Sequence, residues 1–215
     1  MRISFPLEGI WEVVTSPADR VPSHYTTRYG MGYAVDFAKP EDTAISWRRR
    51  LFGKTRVEQT AGWGARVTSP VSGRIVTVHD DQQDRGRITL AADLWSMFRA
   101  ATFQPADGGY GTVFGNYVII EAGGCYCLLA HLMLGSICVR EGQRVDVGDP
   151  LGRLEHSGSS FVPHLHLQVM DDGDLERALG LSFSLNDVLI MQDGGWVPYS
   201  GPAPKRGAKL RRMER

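Results

Sequence analysis

Hydrophobic and polar residues alternate over short stretches of this chain, which is typical of β-strands that bury one face. Glycine or proline separates most of these stretches, and both residues favour turns. The spacing of apolar residues becomes helical over 88–104, where we predict one short amphipathic helix at 91–101. The stretches predicted to form strands are 33–38, 67–78, 117–121, 125–131 and 139–152. The pattern therefore predicts a mainly β fold with one short helix.

The length and the hydrophobic content fit a single domain. The chain has 215 residues, of which 42% are hydrophobic, enough for a packed core. We predict one domain over 1–200 with its core at about 22–170. Loop insertions are expected at about 43–66 and 80–115. We predict that 201–215 is a disordered basic tail, because it holds six basic residues and one acidic residue.

Charge and cysteine content narrow the classes of partner. Lys+Arg 24 balances Asp+Glu 24, so we predict no nucleic-acid partner. No apolar stretch approaches 18 residues, so we predict no transmembrane segment, and the first residues lack the apolar core of a signal peptide. Three cysteines do not make a disulfide framework, which favours a reducing compartment. We expect either a cytoplasmic protein or a chain without its leader.

Two histidines at alternate positions form the most informative motif. His164 and His166 lie in an apolar, β-branched run with a proline before it, and we predict a strand over 159–169. Alternate side chains of a strand leave the same face about 6.6 Å apart, while Leu165 and Leu167 point to the opposite face. One ring can then bind a metal while the other reaches a substrate or water. Two histidines on a solvated face would show the same pattern.

Two further polar side chains end or interrupt predicted strands. Asp36 is flanked by Ala34 and Ala38 on its face, which leaves space around the carboxylate, although an aspartate on a solvated edge strand would look alike. His131 shares a predicted strand face with Cys127. These two residues lie about 13 Å apart along an extended strand, too far to share a metal.

In order and spacing, these residues resemble the lysostaphin-like zinc metallopeptidases, which are LytM-type peptidoglycan endopeptidases. The resemblance spans roughly 22–170 and implies an antiparallel β-sheet of the LytM/lysostaphin type (duplicated hybrid motif) with loop insertions. The segments that carry it are Pro22-Ser23-His24, Tyr33-Ala34-Val35-Asp36-Phe37, Ala130-His131-Leu132, Gly148-Asp149-Pro150-Leu151-Gly152 and Pro163-His164-Leu165-His166.

The resemblance implies one Zn²⁺ per chain, with His24, Asp36 and His166 as its ligands. It implies that His131 and His164 are catalytic residues beside the metal. One of them would orient or deprotonate the zinc-bound water, and the other would stabilise the oxyanion or protonate the leaving amine.

Two positions depart from the family pattern. Many members carry the first histidine four residues before the aspartate, where this chain has Gly32, which has no donor atom. The nearest candidate is His24, which a longer loop would have to return to the same point; otherwise it is an exposed loop histidine. His156 stands where the family often has asparagine, and we expect it to have no direct catalytic role.

Two imidazole nitrogens and one carboxylate oxygen are typical zinc ligands, and three protein ligands leave a position for water. Together with this chemistry, the resemblance implies a zinc metallopeptidase that hydrolyses peptide bonds in peptidoglycan. The alternative is a non-catalytic member of the same fold that binds wall peptides or regulates a hydrolase.

A biotinyl or lipoyl carrier domain is disfavoured because 117–170 contains no lysine. The substrate implies the bacterial envelope, which conflicts with the missing leader.

Overall fold

The structure is a computed structural model that describes residues 1–53, 55–104 and 109–213. The strands are β1 (Arg2–Ser4), β2 (Ile10–Thr15), β3 (Val35–Ala38), β4 (Thr55–Arg56), β5 (Arg66–Thr68), β6 (Gly73–His79), β7 (Arg87–Ile88), β8 (Asn116–Ala122), β9 (Cys125–Leu132), β10 (Arg144–Val145), β11 (Pro150–Arg153), β12 (His164–Met170), β13 (Gly180–Leu181), β14 (Ser184–Gln192), β15 (Gly195–Pro202) and β16 (Lys209–Arg212). The helices are α1 (Pro40–Thr43), α2 (Trp47–Leu51), α3 (Leu90–Thr102) and α4 (Gly111–Phe114), with 3-10 helices at Arg28–Tyr33 and Val57–Gln59.

One large sheet dominates the fold, which confirms the mainly β prediction. Its strand order is β1-β14-β16-β2-β3-β12-β9-β8-β6-β10, with β13 beside β12 and β15 beside β14. Among the described strands, β1 and β14 run parallel, and the other pairs are antiparallel. The sheet is therefore mixed at this one pair rather than wholly antiparallel.

The predicted strands 117–121 and 125–131 correspond to β8 and β9, which form an antiparallel hairpin. Gly123 and Gly124 connect the strands, and both adopt positive φ angles, 58° and 77°. Glycine adopts these angles without steric cost, and two such residues in succession match the twist of a tight hairpin. The hairpin brings β9 to the centre of the sheet, beside β12.

The two predicted insertions pair with each other. β4 lies in the first and β7 in the second, and they form a small antiparallel sheet in which Thr55 pairs with Ile88. α3 follows β7 and confirms the predicted helix. It begins where the Thr89 side chain accepts a hydrogen bond from the Ala92 amide, a typical N-cap. Within the described residues, no helix is long and apolar enough to span a bilayer.

The predicted disordered tail is wrong for the described part of 201–215. β15 extends to Pro202, and β16 pairs with both β14 and β2. Leu210 lies at the centre of β16 and is fully buried, so its apolar contacts and the backbone ladder offset the entropy cost of ordering the segment. Glu214 and Arg215 lie outside the described residues.

The central strands separate a core face from a polar face. Leu165, Leu167 and Val169 of β12 are fully buried in the main hydrophobic cluster, together with Val35 and Phe37 of β3. The alternate residues of these strands therefore point to the opposite face. That face carries Asp36 and both histidines of the His-x-His motif.

Candidate metal centre

Three neighbouring strands assemble a polar cluster at the centre of the sheet. β12 lies between β3 and β9, and His166 is in register with Asp36 on one side and with Ala130 on the other. Residues directly opposite on antiparallel strands have Cβ atoms about 4.5–5.5 Å apart. The register therefore places the Asp36 carboxylate beside the His166 ring, although 130 residues separate them in sequence.

The structure brings His24, Asp36 and His166 together. Asp36 Oδ2 lies 2.9 Å from His24 Nε2, and Asp36 Oδ1 lies 2.9 Å from His166 Nδ1. The potential ligand atoms of all three residues lie within 4.8 Å of one another. The carboxylate thus sits between two imidazole rings, each of which meets a different oxygen.

His24 reaches this point because its loop folds back. The Ser23 amide donates to Gly32 O at 3.0 Å, and the Ser23 hydroxyl donates to Met31 O at 3.2 Å. Ser23 Oγ then accepts a hydrogen bond from His24 Nδ1 at 3.1 Å. In the neutral ring, this assignment makes Nε2 the lone-pair nitrogen, and it faces Asp36. The loop therefore supplies an imidazole to the site although Gly32 carries no side chain.

Gln168 determines which nitrogen of His166 carries the proton. The amide nitrogen of Gln168 donates to Tyr29 O at 2.7 Å, so the amide oxygen must be the atom that faces His166. That oxygen lies 2.9 Å from His166 Nε2 and accepts its proton. In the neutral ring, His166 Nδ1 is therefore the lone-pair nitrogen, and it points at Asp36. Gln168 lies two residues after His166 on the same strand face, a signal that sequence reasoning overlooked.

Asp36 is ionised. Burial raises the pKa of this carboxyl, but the imidazoles of His24, His164 and His166 outweigh that effect and hold its pKa well below the ordinary value. An ionised carboxylate accepts hydrogen bonds and donates none.

His131 joins the cluster through a β-bulge. Alternation alone would place it on the face of Leu129, which packs in the core. Asn116 pairs with Leu132 and Tyr117 with Ala130, so His131 is an extra residue on β9. Its φ of 62° lies in the left-handed region, and bulges of this kind re-aim side chains beside functional sites. The His131 ring consequently lies 4.5 Å from the ring of His164.

His131 and His164 are each held in one tautomer. His131 Nδ1 donates to Ser157 O at 2.9 Å, and His164 Nδ1 donates to Val162 O at 2.8 Å. His164 Nε2 lies 3.8 Å from Asp36 Oδ1. Burial lowers the pKa of His164 and lowers that of His131 well below its ordinary value. Near neutral pH, both rings are therefore neutral, with an unprotonated Nε2.

The donor atoms fit a divalent cation. His24 Nε2 and His166 Nδ1 each lie 2.9 Å from a different oxygen of the ionised carboxylate, so a cation bound there would take the place of the protons that otherwise lie between them. Imidazole nitrogen and carboxylate oxygen are typical zinc ligands at about 2.0–2.2 Å, so ligands lie no more than about 4 Å apart across the ion. The spread of at most 4.8 Å requires only a small adjustment.

Comparison with known proteins points to one family. Residues 104–177 match the model of peptidase family M23. A 59-residue segment is 37% identical to the peptidoglycan DD-endopeptidase ShyA of Vibrio cholerae serotype O1. The matched segment covers 27% of this chain and 14% of ShyA, so most of that relative has no counterpart in the match.

Solved structures with a related fold come from the same group of peptidases. A putative glycyl-glycine endopeptidase LytM from Ruminococcus gnavus has 16% identity and a TM-score of 0.45, with 83% of this chain and 56% of that chain covered. A zinc-containing peptidase from Vibrio cholerae has 18% identity and a TM-score of 0.43, with 82% and 37% covered. Because both TM-scores lie below 0.5, these two likenesses carry no argument about the chain.

Proposed function

We propose that this chain, a LytM-type member of peptidase family M23, is a zinc-dependent endopeptidase that hydrolyses peptide bonds in bacterial peptidoglycan. The observation that carries the proposal is the convergence of His24 Nε2 and His166 Nδ1 on the two oxygens of the buried Asp36 carboxylate. We assign these three residues as ligands of one zinc ion per chain. A zinc ion held there would lower the pKa of a bound water to about 7 and polarise a peptide carbonyl.

His131 and His164 supply proton transfer in this proposal. Each ring is neutral and has its Nδ1 proton committed to a backbone carbonyl, so Nε2 is free to accept a proton. A base that takes a proton from the attacking water can later return it to the leaving amine. His164 is the better candidate for the first step, because its Nε2 already lies 3.8 Å from Asp36 Oδ1.

The substrate assignment comes from the relatives. ShyA is a peptidoglycan DD-endopeptidase, and its match with this chain lies within a short segment. A peptidoglycan substrate places the site of action in the bacterial envelope. A non-catalytic member that binds wall peptides would need neither a free metal position nor two neutral histidines, and this chain has all five side chains in one cluster.

The test uses the full chain and cross-linked wall peptides. We expect the protein to retain zinc after purification and to release new amino termini from cross-linked fragments, as measured by mass spectrometry. A chelator should abolish the release, and added zinc should restore it. The His164→Ala variant is the matched control, because it should bind zinc and the fragments but cleave far more slowly. Fragment binding without cleavage by the wild-type protein would instead support the non-catalytic alternative.

A further inference from the structure

A buried aspartate projects from the insertion helix α3 toward the metal centre. Asp93 is fully buried, whereas its neighbours Leu94 and Trp95 are 54% and 62% exposed. Asp93 Oδ1 accepts a hydrogen bond from Arg85 Nη1 at 3.0 Å and lies 3.3 Å from His156 Nε2. Asp93 Oδ2 has no hydrogen-bond partner within the described part of the chain. A buried carboxylate is costly, so its position calls for a specific role.

The contacts continue from Asp93 to the candidate catalytic histidine. His156 Nδ1 lies 3.1 Å from Ser160 Oγ, and Ser160 Oγ lies 3.0 Å from His164 Nδ1. His156 and Ser160 are buried, at 0% and 2% exposure. Four side chains thus form an unbroken line from the insertion helix to the centre of the sheet.

The chemistry of each group fixes the direction of the hydrogen bonds. The Asp93 carboxylate only accepts, so His156 must carry its proton on Nε2. Burial lowers the pKa of His156 to about 4, so the ring holds one proton and its Nδ1 is an acceptor. The Ser160 hydroxyl then has two acceptors within reach, this nitrogen at 3.1 Å and Val162 O at 2.7 Å. A Ser160 lone pair remains to accept from His164 Nδ1, alongside Val162 O.

Two further contacts hold the line in place. Arg85 places a positive charge beside Asp93, and its Nη2 donates to Ser160 O. The Ser160 hydroxyl donates to Val162 O at 2.7 Å and shares its proton with His156 Nδ1. His164 Nδ1 donates to the same carbonyl at 2.8 Å.

We propose that Asp93, His156 and Ser160 are positioning residues that hold His164 with its proton on Nδ1 and its Nε2 lone pair toward the metal centre. The proposal rests on the proposed function, in which His164 transfers protons. When His164 accepts a proton at Nε2, its Nδ1 proton remains hydrogen-bonded to Ser160 Oγ. The contacts of Ser160 with His156, and of His156 with the Asp93 carboxylate, polarise that oxygen and strengthen the hydrogen bond. The line therefore stabilises the charged ring that forms during turnover.

The experiment combines kinetics with nitrogen spectroscopy on the full chain. The test variants are Asp93→Asn and Ser160→Ala. Asp84→Asn is the matched control, because it makes the same change in a half-buried carboxylate that accepts from the Leu134 amide and does not touch His156. We expect both test variants to lower kcat about 10-fold, as is typical when outer partners of a site are removed, with KM and bound zinc unchanged. The control should retain the wild-type kcat.

The ring nitrogens report on the line without any turnover. In ¹⁵N spectra of metal-free protein, we expect the wild type to carry the His156 proton on Nε2 and the His164 proton on Nδ1. In Ser160→Ala, the His164 proton should be shared between both nitrogens. A His156 proton on Nδ1 in the wild type, or an unchanged His164 spectrum in both test variants, would overturn the proposal. Loss of zinc together with kcat would overturn it too, because that result indicates a merely structural role.

These spectra also separate this proposal from the proposed function. If the wild type cleaves no wall peptide, the proposed endopeptidase activity fails. The tautomers of His156 and His164 would still be measurable in that case. They would support or overturn the positioning line on their own.

Discussion

The two faces of strand β12 are equally buried but contribute in opposite ways. Leu165 and Leu167, on the core face, are fully buried among apolar side chains, where burial is favourable by itself. His166 and Gln168, on the site face, are also almost completely buried, yet each has its polar atoms matched to a partner. Burial of such groups is tolerated only with those partners. The core face therefore supplies stability that offsets the cost of the site face.

The site lies in the middle of the sheet, where β12 has a paired strand on each side. The backbone ladders of β3 and β9 on either side of β12 hold its residues in fixed register. Fixed register gives Asp36 and His166 one relative position, which a metal centre requires. Substitution of a proposed ligand on the site face should thus change metal binding without unfolding the protein, whereas a substitution on the core face should lower stability and leave metal binding unchanged.

The largest effect should come from His166→Ala on the site face. The substitution removes a proposed ligand, and the loss of even an outer partner typically costs about 10–100-fold in metal affinity or activity. We therefore expect no zinc to remain after purification and no detectable cleavage of wall peptides. Metal analysis and circular dichroism should show a folded, zinc-free protein.

His131→Ala is the control for that experiment. This variant removes a buried imidazole from the same cluster but leaves the three proposed ligands in place. We expect it to keep zinc and to lose turnover by about 10²–10⁴-fold, the range typical of general acid–base residues. Equal loss of zinc in the two variants would contradict the assignment of roles.

The matching change on the core face is Leu167→Ala. It removes a fully buried leucine, so it should lower the free energy of unfolding by about 2–5 kcal/mol, as measured by chemical denaturation. The folded variant should still bind one zinc per chain. Leu94→Ala is the control, because that leucine is 54% exposed and its removal should change stability by no more than about 0.5 kcal/mol. Loss of zinc from folded Leu167→Ala would contradict the assignment of stability to the core face and metal binding to the site face.

Sequence periodicity predicted the parts of the site that depend on one strand at a time. It placed His164 and His166 on one face and the leucines between them on the other, as observed. It placed His131 on the wrong face, because one extra residue at the bulge reverses the alternation. No local pattern shows where a bulge lies, because a bulge is defined by the partner strand.

The remaining differences also arise from contacts that are distant in sequence. β16 looked like a charged tail, but it is ordered by pairing with β2, about 200 residues earlier. His24 comes to Asp36 through a folded loop that the family resemblance suggested and spacing alone did not reveal. The sequence did not indicate a role for Asp93, because an acidic residue in the first turn of an amphipathic helix is common. Such features depend on tertiary packing rather than on propensity.

The smallest predicted effect is a pH dependence that belongs to the site face. Burial lowers the pKa of His131, His156 and His164 in the folded state, so the unfolded chain binds more protons below its own histidine pKa of about 6.5. These histidines should therefore lower the free energy of unfolding of the metal-free protein as pH decreases from about 7.5 to about 5.5, while Glu155, whose pKa burial raises to about 7, acts in the opposite direction. The lowered pKa of Asp36 adds nothing in this window, because its contribution is lost only below its unfolded value of about 3.9.

His156→Gln isolates one part of that dependence. With a folded pKa of about 4, His156 accounts for about 1 kcal/mol of the loss between the two pH values. Denaturant titrations of metal-free His156→Gln should show a pH difference smaller than that of the wild type by this amount. Leu167→Ala, which alters the core face, should be less stable at both pH values and keep the wild-type difference between them. If His156→Gln also kept the wild-type difference in unfolding free energy between the two pH values, the buried histidines would not be the origin of the acid sensitivity. A change of pH would then not distinguish the contributions of the two faces of β12.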